Sequence, residues 1–357
     1  MKCENYNVIG VMSGTSLDGV DLAHISFSIQ SGKWSFKIHE ATTMPYTLEW
    51  QQRLKAAIEF PAAQLDVMDK EYTVLLSSFI NDFINSHNII HIDAICSHGH
   101  TIHHRPHEGY TLQIGNLPEI APLTASKVIC DFRVQDVQMG GQGAPLVPIG
   151  DRLLFSDYTF CLNLGGFSNI SFENGNNRAA FDICPVNTVL NHYAFLLGHE
   201  YDDGGAIAAT GIMIPELASD LDNLPFYKLP YPKSLGLEFV KETVIPLMES
   251  YDATTEDKMR TFTGHIAKQI AATLKINGEK GKLLVTGGGA YNSFLIDLLK
   301  NSLPDTDIII PDDKTVQYKE ALIFGLLGIL RMRGEVNVLS SVTGANKDHC
   351  SGKIYLP

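Results

Sequence analysis

Short apolar runs that stop at small-residue turns set the pattern of this chain. Residues 6–12 read as an apolar strand that runs into Ser13-Gly14-Thr15-Ser16, and a second apolar segment covers 20–29, so the pair predicts a hairpin with an unusual loop. Leu65, Met68, Tyr72, Leu75, Leu76, Phe79 and Phe83 recur at helical spacing, which predicts a helix over 65–84, and residues 92–96 predict a short strand after it. The theme returns downstream. Strands are expected over 160–164 and 170–172 on either side of Gly165-Gly166, and a helix over 187–197. Further helices are expected over 237–248 and 260–274, a strand over 283–286 that breaks at Gly287-Gly288-Gly289, a helix near 294–299, a strand at 308–310 and a last helix over 318–332. The proline-rich stretch 224–234 is the best candidate for a long surface loop.

Strand and helix alternate in both halves, so the expected class is α/β. A chain of 357 residues exceeds the size at which one core usually splits. Two lobes are therefore expected: 1–130, with 334–357 as a tail able to pack back on it, and 131–333. A formal charge of −13 argues against a nucleic-acid partner, which draws its affinity from clustered Lys and Arg, but leaves room for a nucleotide held by backbone amides. Cys3, Cys96, Cys130, Cys161, Cys184 and Cys350 lack paired spacing and mostly sit in apolar runs, so they read as reduced residues of a reducing compartment. The opening MKCENYNVIG lacks the basic start and apolar stretch of a signal peptide, and the longest apolar run, 321–330, is about half a membrane span. The expectation is a soluble, cytoplasmic protein with no membrane partner.

Candidate chemistry gathers at the turns. Gly14, Thr15, Ser16, Leu17, Asp18, Gly19, Val20 and Asp21 join two strands through small and hydroxyl residues; such a turn can aim several N–H groups at a phosphate, with Asp18 placed to hold Mg²⁺ directly or through water, or it is an ordinary hairpin loop. Gly165 and Gly166 form a second such turn. Gly287, Gly288, Gly289 and Asn292 follow a strand and open a helix, where missing side chains let a nucleoside approach and the helix dipole attracts anions. The cluster His98, His100, His103, His104 and His107 lacks Cys or carboxylate partners at zinc-site spacing.

These stretches carry a family resemblance. GVMSGTSLDGVDLA resembles the opening signature of the anhydro-N-acetylmuramic acid kinases, and the likeness continues through Ser97 to Pro106, Thr111 to Asn116, Asp131-Phe132-Arg133, Gly140 to Leu146, NLGGFSNIS, YDDGGAIAATG, PKSLGLEF, TGGGAYN and Ser341 to Ala345. The resemblance implies a two-lobed actin-like (ribonuclease H-like) fold with ATP in the cleft between lobes, Mg²⁺, a homodimer, and a reaction that opens the 1,6-anhydro ring while phosphorylating O6. It makes Asp182 the base that activates water, where the alternative is a helix N-cap, and Glu320 a second acidic group near the sugar, where the alternative is a solvated helix face. It places His98, Arg133 and Asp136 on the sugar side, Arg133 being equally suited to a structural ion pair. The sequence departs from the family where Ile183, Cys184 and Val186 stand for a hydroxyl residue and two glycines, and where Leu235 and Leu237 stand for Thr and Arg. These departures keep two alternatives open: a weak or inactive paralogue that binds ATP or sugar, and a kinase for another small sugar.

Overall fold

The computed structural model describes residues 4–14, 17–278 and 280–357. It divides into two compact units, Met1–Leu154 with Tyr318–Pro357, and Phe155–Gln317. In the first unit β1 (Glu4–Ser13), β2 (Gly19–Gln30) and β3 (Lys33–Pro45) form an antiparallel meander, β4 (Ala94–Arg105) lies parallel to β1, β5 (Tyr110–Ile114) folds back on β4, and β6 (Val128–Cys130) runs parallel to β4. In the second unit β7 (Phe160–Leu164), β8 (Phe167–Asn174) and β9 (Asn177–Pro185) form another meander, and β10 (Gly281–Thr286) and β11 (Thr306–Ile309) continue the sheet parallel to β7. The final strand, β12 (Lys353–Tyr355), pairs antiparallel with β6 in the first unit.

The two sheets share one plan: a three-stranded meander whose first strand is flanked on its other side by two parallel strands, in the orders β3-β2-β1-β4-β6 and β9-β8-β7-β10-β11. This doubled order is the α/β arrangement of the actin-like, ribonuclease H-like fold. Each sheet packs helices on an apolar face. In the second unit the helix Thr255–Ile276 buries Met259, Phe262, Ile266, Ile270 and Leu274 at three- and four-residue steps, and its N-cap Thr254 accepts from the Asp257 N–H at 3.1 Å. In the first, the helix Ala62–Ser86 buries Leu65, Met68, Tyr72, Leu76, Ile80 and Phe83 against β1, β2 and β4 residues. Cys96, Cys130, Cys161 and Cys184 are all buried.

The pattern and the units divide the chain differently. Residues 131–154 and 318–333, grouped by pattern with the second half, pack with the first unit. The reason is contact at the backbone: a Cβ on Gly10 of β1 would lie 2.0 Å from the Ala321 carbonyl oxygen, and one on Gly328 would lie 2.2 Å from Cys96 Sγ of β4, so the helix Asp313–Arg333 can approach that sheet closely only over glycine. The expected helix over 237–248 is three pieces, Leu237–Phe239, a π-turn Val240–Val244 and Ile245–Glu249. The expected surface loop at 224–234 includes the turn Pro225–Lys228 with Phe226 buried. Among the described residues no helix is long and apolar enough to cross a membrane.

Candidate active site

Strands β1, β4 and β6 run in the same direction, so their carboxyl ends share one edge of the first sheet, the edge at which open α/β sheets place ligands. Leaving β1 and β6 at this edge are Gly14, then Leu17 and Asp18, and Asp131-Phe132-Arg133; the His98-Gly99-His100 segment lies within β4, where His100 pairs with Ser13 at the end of β1. Thr15 and Ser16, both expected phosphate ligands, lie outside the described residues. Leu17 takes φ 61°, and exposed Asp18 accepts from the Gly19 N–H through Oδ1 at 2.9 Å. Val20 is fully buried in the core, so its side chain serves packing. Behind the turn, Ser13 Oγ bonds His100 Nδ1 at 2.8 Å and the Tyr46 hydroxyl at 2.7 Å, which fixes where β1 releases the chain.

The neighbouring group is cationic and tightly held. Arg133 donates from Nε to His98 Nε2 at 2.8 Å and from Nη1 to the Gly143 carbonyl at 2.7 Å. His98 Nδ1 lies 2.9 Å from the Gly99 carbonyl, which can only accept, so the imidazole carries its proton on Nδ1 and offers Nε2 as a lone pair. Burial and the Arg133 charge keep its pKa well below the ordinary value, consistent with that neutral tautomer. Burial also pulls Arg133 down to about 10, with Glu320 and Asp136 opposing, so the guanidinium stays charged at neutral pH. Asp136 is fully buried: it accepts from the Gly143 N–H at 2.6 Å and from Thr343 Oγ1 at 2.8 Å. Its place is beneath the loop that holds Arg133. Glu320 is solvent-exposed, while the protein mass around it still raises its carboxyl, opposed by Arg133 and Lys319. Lys319 itself is locked to Asp151 at 2.8 Å.

Asp21 sits among like charges. Burial raises its carboxyl to about 6, Thr43 Oγ1 donates to it at 2.6 Å and pulls it back, and Asp18 and Glu320 push it further up. A carboxyl raised on folding binds its proton more tightly in the folded state; its contribution to stability is present below about pH 4 and is lost as pH rises through about 6. Asp21→Asn is therefore expected to be more stable than the parent at pH 7, by about 1–3 kcal/mol, with the gap closing below pH 4. Urea unfolding at both pH values measures it.

The second unit repeats the edge. Strands β7, β10 and β11 run parallel and release Gly165-Gly166, Gly287-Gly288-Gly289 and Pro311-Asp312 at one side. The Val186 and Thr188 N–H groups donate to the Gly166 carbonyl at 2.8 and 3.2 Å, which ties that turn to the helix Asn187–Leu196. Gly287 takes φ +82°, and a Cβ there would meet the Leu164 carbonyl oxygen at 2.8 Å; one on Gly289 would meet Leu164 Cβ at 2.7 Å. The glycine triplet enters a 3-10 turn, Gly288–Tyr291, before the helix Ser293–Ser302, which Asn292 caps by accepting from the Leu295 N–H at 2.9 Å. The helix expected near 294–299 thus begins after this turn and extends beyond that range at both ends. Gly204-Gly205 joins this corner, since Ser293 Oγ donates to the Gly204 carbonyl at 2.9 Å and a Cβ on Gly205 would strike Asn292. Only the doublet's position in YDDGGAIAATG could have signalled it.

Asp182 lies on β9, half-buried, opposite Asn169. Its Oδ2 accepts from the Leu235 N–H at 2.8 Å, and its own N–H donates to the Lys233 carbonyl at 3.1 Å. Burial raises the carboxyl and the Leu235 bond restrains it. This is not a helix cap, since its partner is a loop 53 residues away.

Residues 6–357 match the family model for anhydro-N-acetylmuramic acid kinase. The chain belongs to this family. It is 33% identical to the anhydro-N-acetylmuramic acid kinase of Shewanella woodyi, over 97% of this chain and 98% of that one, and 35% identical to those of Pseudomonas syringae pv. tomato and Actinobacillus pleuropneumoniae serotype 3 over the same shares. The departures from the anhydro-N-acetylmuramic acid kinase pattern acquire a place. Ile183, Cys184 and Val186 are all buried in the core of the second unit, so their bulk packs inward. Leu235 meets Asp182 through its backbone, a contact that a change of side chain preserves, and Leu237 is 52% exposed.

Proposed function

We propose that this chain is an ATP-dependent kinase that opens 1,6-anhydro-N-acetylmuramic acid and phosphorylates its O6, giving N-acetylmuramic acid 6-phosphate and ADP. The observation that carries the reading is family membership along essentially the whole length, with Asp182 half-buried and fixed by a backbone N–H. Asp182 takes a proton from water as the water oxygen bonds the anomeric carbon; the C1–O6 bond breaks, O6 bonds the γ-phosphorus, and the bond from that phosphorus to the β,γ-bridging oxygen breaks. A carboxyl raised by burial suits a base working near neutral pH. Arg133, with Nε and Nη1 committed to His98 and Gly143, offers Nη2 to an anionic group, and Asp136 positions it through Gly143.

In the second unit the glycine turns at 165–166 and 287–289 are read as offering backbone N–H groups to the nucleotide, with Asn292 and Gly204-Gly205 shaping the latter; in the first unit the turn after β1 is read the same way. Mg²⁺ fits the first unit by its donor chemistry: Asp18 presents an exposed carboxylate, and Asp21 and Glu320 carry mutual repulsion that a divalent cation relieves. Bound with ATP it would neutralise charge on the transferring phosphoryl group. Glu320 acts near the acceptor oxygen. The reading includes a cytoplasmic homodimer, on the resemblance alone, which sedimentation velocity of the purified chain tests.

The deciding experiment incubates the protein with Mg·ATP and the anhydro sugar and identifies the product by mass. The reading requires ADP release that depends on the sugar and a product heavier by phosphate and water. A product heavier by phosphate alone, or ADP release indifferent to the sugar, would sink it.

A further inference from the structure

The segment that restrains Asp182 is itself pinned at two points. On one side Lys233 stands 4.6 Å over the ring of Phe226, which is buried, and donates to the Phe226 carbonyl at 3.3 Å. On the other the ring of Tyr231 stacks on Phe181, the residue before Asp182 on β9, with centroids 4.8 Å apart and planes 3° from parallel. Tyr231 also meets Phe172 edge-on at 6.2 Å, and its hydroxyl accepts from Asn174 Nδ2 at 2.9 Å. Pro230 and Pro232 flank it and limit the backbone on both sides. The peptide leaving this stack supplies the Lys233 carbonyl and the Leu235 N–H, the two groups that grip Asp182.

We propose that Tyr231 is a positioning residue for the base: its stack on Phe181 holds residues 233–235 across β9 so that the Leu235 N–H orients the Asp182 carboxylate. The inference rests on Asp182 being the base. It assigns the orienting role to an aromatic ring that is 39% exposed, outside the glycine turns and the acidic residues. A parallel aromatic stack adds attraction beyond its buried area, and here it fixes a short loop that prolines already stiffen. Among the described residues, the titratable groups beside Asp182 within this unit are the Cys184 thiol on the same strand and the Lys233 ammonium, which is turned to Phe226. The Leu235 N–H bonds the carboxylate directly and so favours its ionised form.

The test compares Tyr231→Ala and Tyr231→Phe by three readings: kcat, the pH dependence of kcat/KM for the sugar, and hydrogen–deuterium exchange over 231–236. Because Tyr231 is partly exposed, its truncation opens no core cavity, and a thermal melt checks that the fold persists. Tyr231→Ala is expected to lose about tenfold or more in kcat, to move the acid limb to higher pH as the carboxylate loses its N–H, and to exchange faster over 231–236. Tyr231→Phe, which keeps the stack, is expected to match the parent in all three. An acid limb unmoved in Tyr231→Ala, or a Tyr231→Phe protein as impaired as the alanine variant, overturns the proposal. Failure of the base reading is a separate result, since Asp182→Asn would then turn over at the parental rate whatever Tyr231 does.

Discussion

Asp182→Asn is expected to lower sugar-dependent ADP release by about 10³-fold, within the range a general base contributes, while ATP affinity stays at the parental value and thermal stability does not fall. The structural argument for separating activity from folding is local. Asparagine has the same shape, and its Oδ1 can still accept from the Leu235 N–H, so the loop that meets β9 keeps its bond. What is lost is the basic oxygen. An amide cannot take the water proton, and removing a raised carboxyl from a half-buried site leaves no charge unpaired. Steady-state rates beside a melt and an ATP titration measure the split; turnover within tenfold of the parent would move the base elsewhere.

The second large effect is expected from Gly10→Val, which should destabilise the first unit by about 3 kcal/mol or more. A Cβ at Gly10 would lie 2.0 Å from the Ala321 carbonyl oxygen and 2.8 Å from its carbon, so relief requires moving a strand or a helix, neither of which can rotate aside as a side chain can. Ala321 follows Glu320, and β1 ends in the turn that bears Asp18, so the same displacement should loosen Mg·ATP binding. Trp34 and Trp50, the chain's two tryptophans, both lie in the first unit, and tryptophan emission during urea unfolding therefore reports on it directly. A transition at the parental midpoint would show that helix and sheet part more easily than their packing indicates.

How far the sequence disclosed this architecture depended on what each segment buries. β7 was legible to its ends because every position but one is buried and glycines close it; the helix Thr255–Ile276 was legible because its apolar residues keep helical steps. β3 carried a legible strand signal, since Trp34, Phe36 and Ile38 alternate with polar residues, but it is an edge strand with Trp34 alone buried and the alternation fades beyond His39. The glycine turns could be read as strand ends, and Asp182 was visible through the family motif. Asp136 shows what a motif leaves unsaid: its place beside Arg133 was legible along the chain, but its burial beneath the loop that holds Arg133 comes from three-dimensional packing. Gly204-Gly205 and Tyr231 act through neighbours distant in sequence, which no window along the chain can pair.

The contribution of β12 to the first sheet carries over to synthesis. Phe155–Gln317 is one continuous stretch, so the second unit has every residue it needs once that stretch clears the ribosome. The first unit begins earlier but waits for the helix that covers Gly10 and for the strand that pairs with β6, both encoded after residue 312. The part of the protein translated second is thus the part able to complete its core first, and until residues 353–355 emerge the flank of β6 that they cover is an open strand edge.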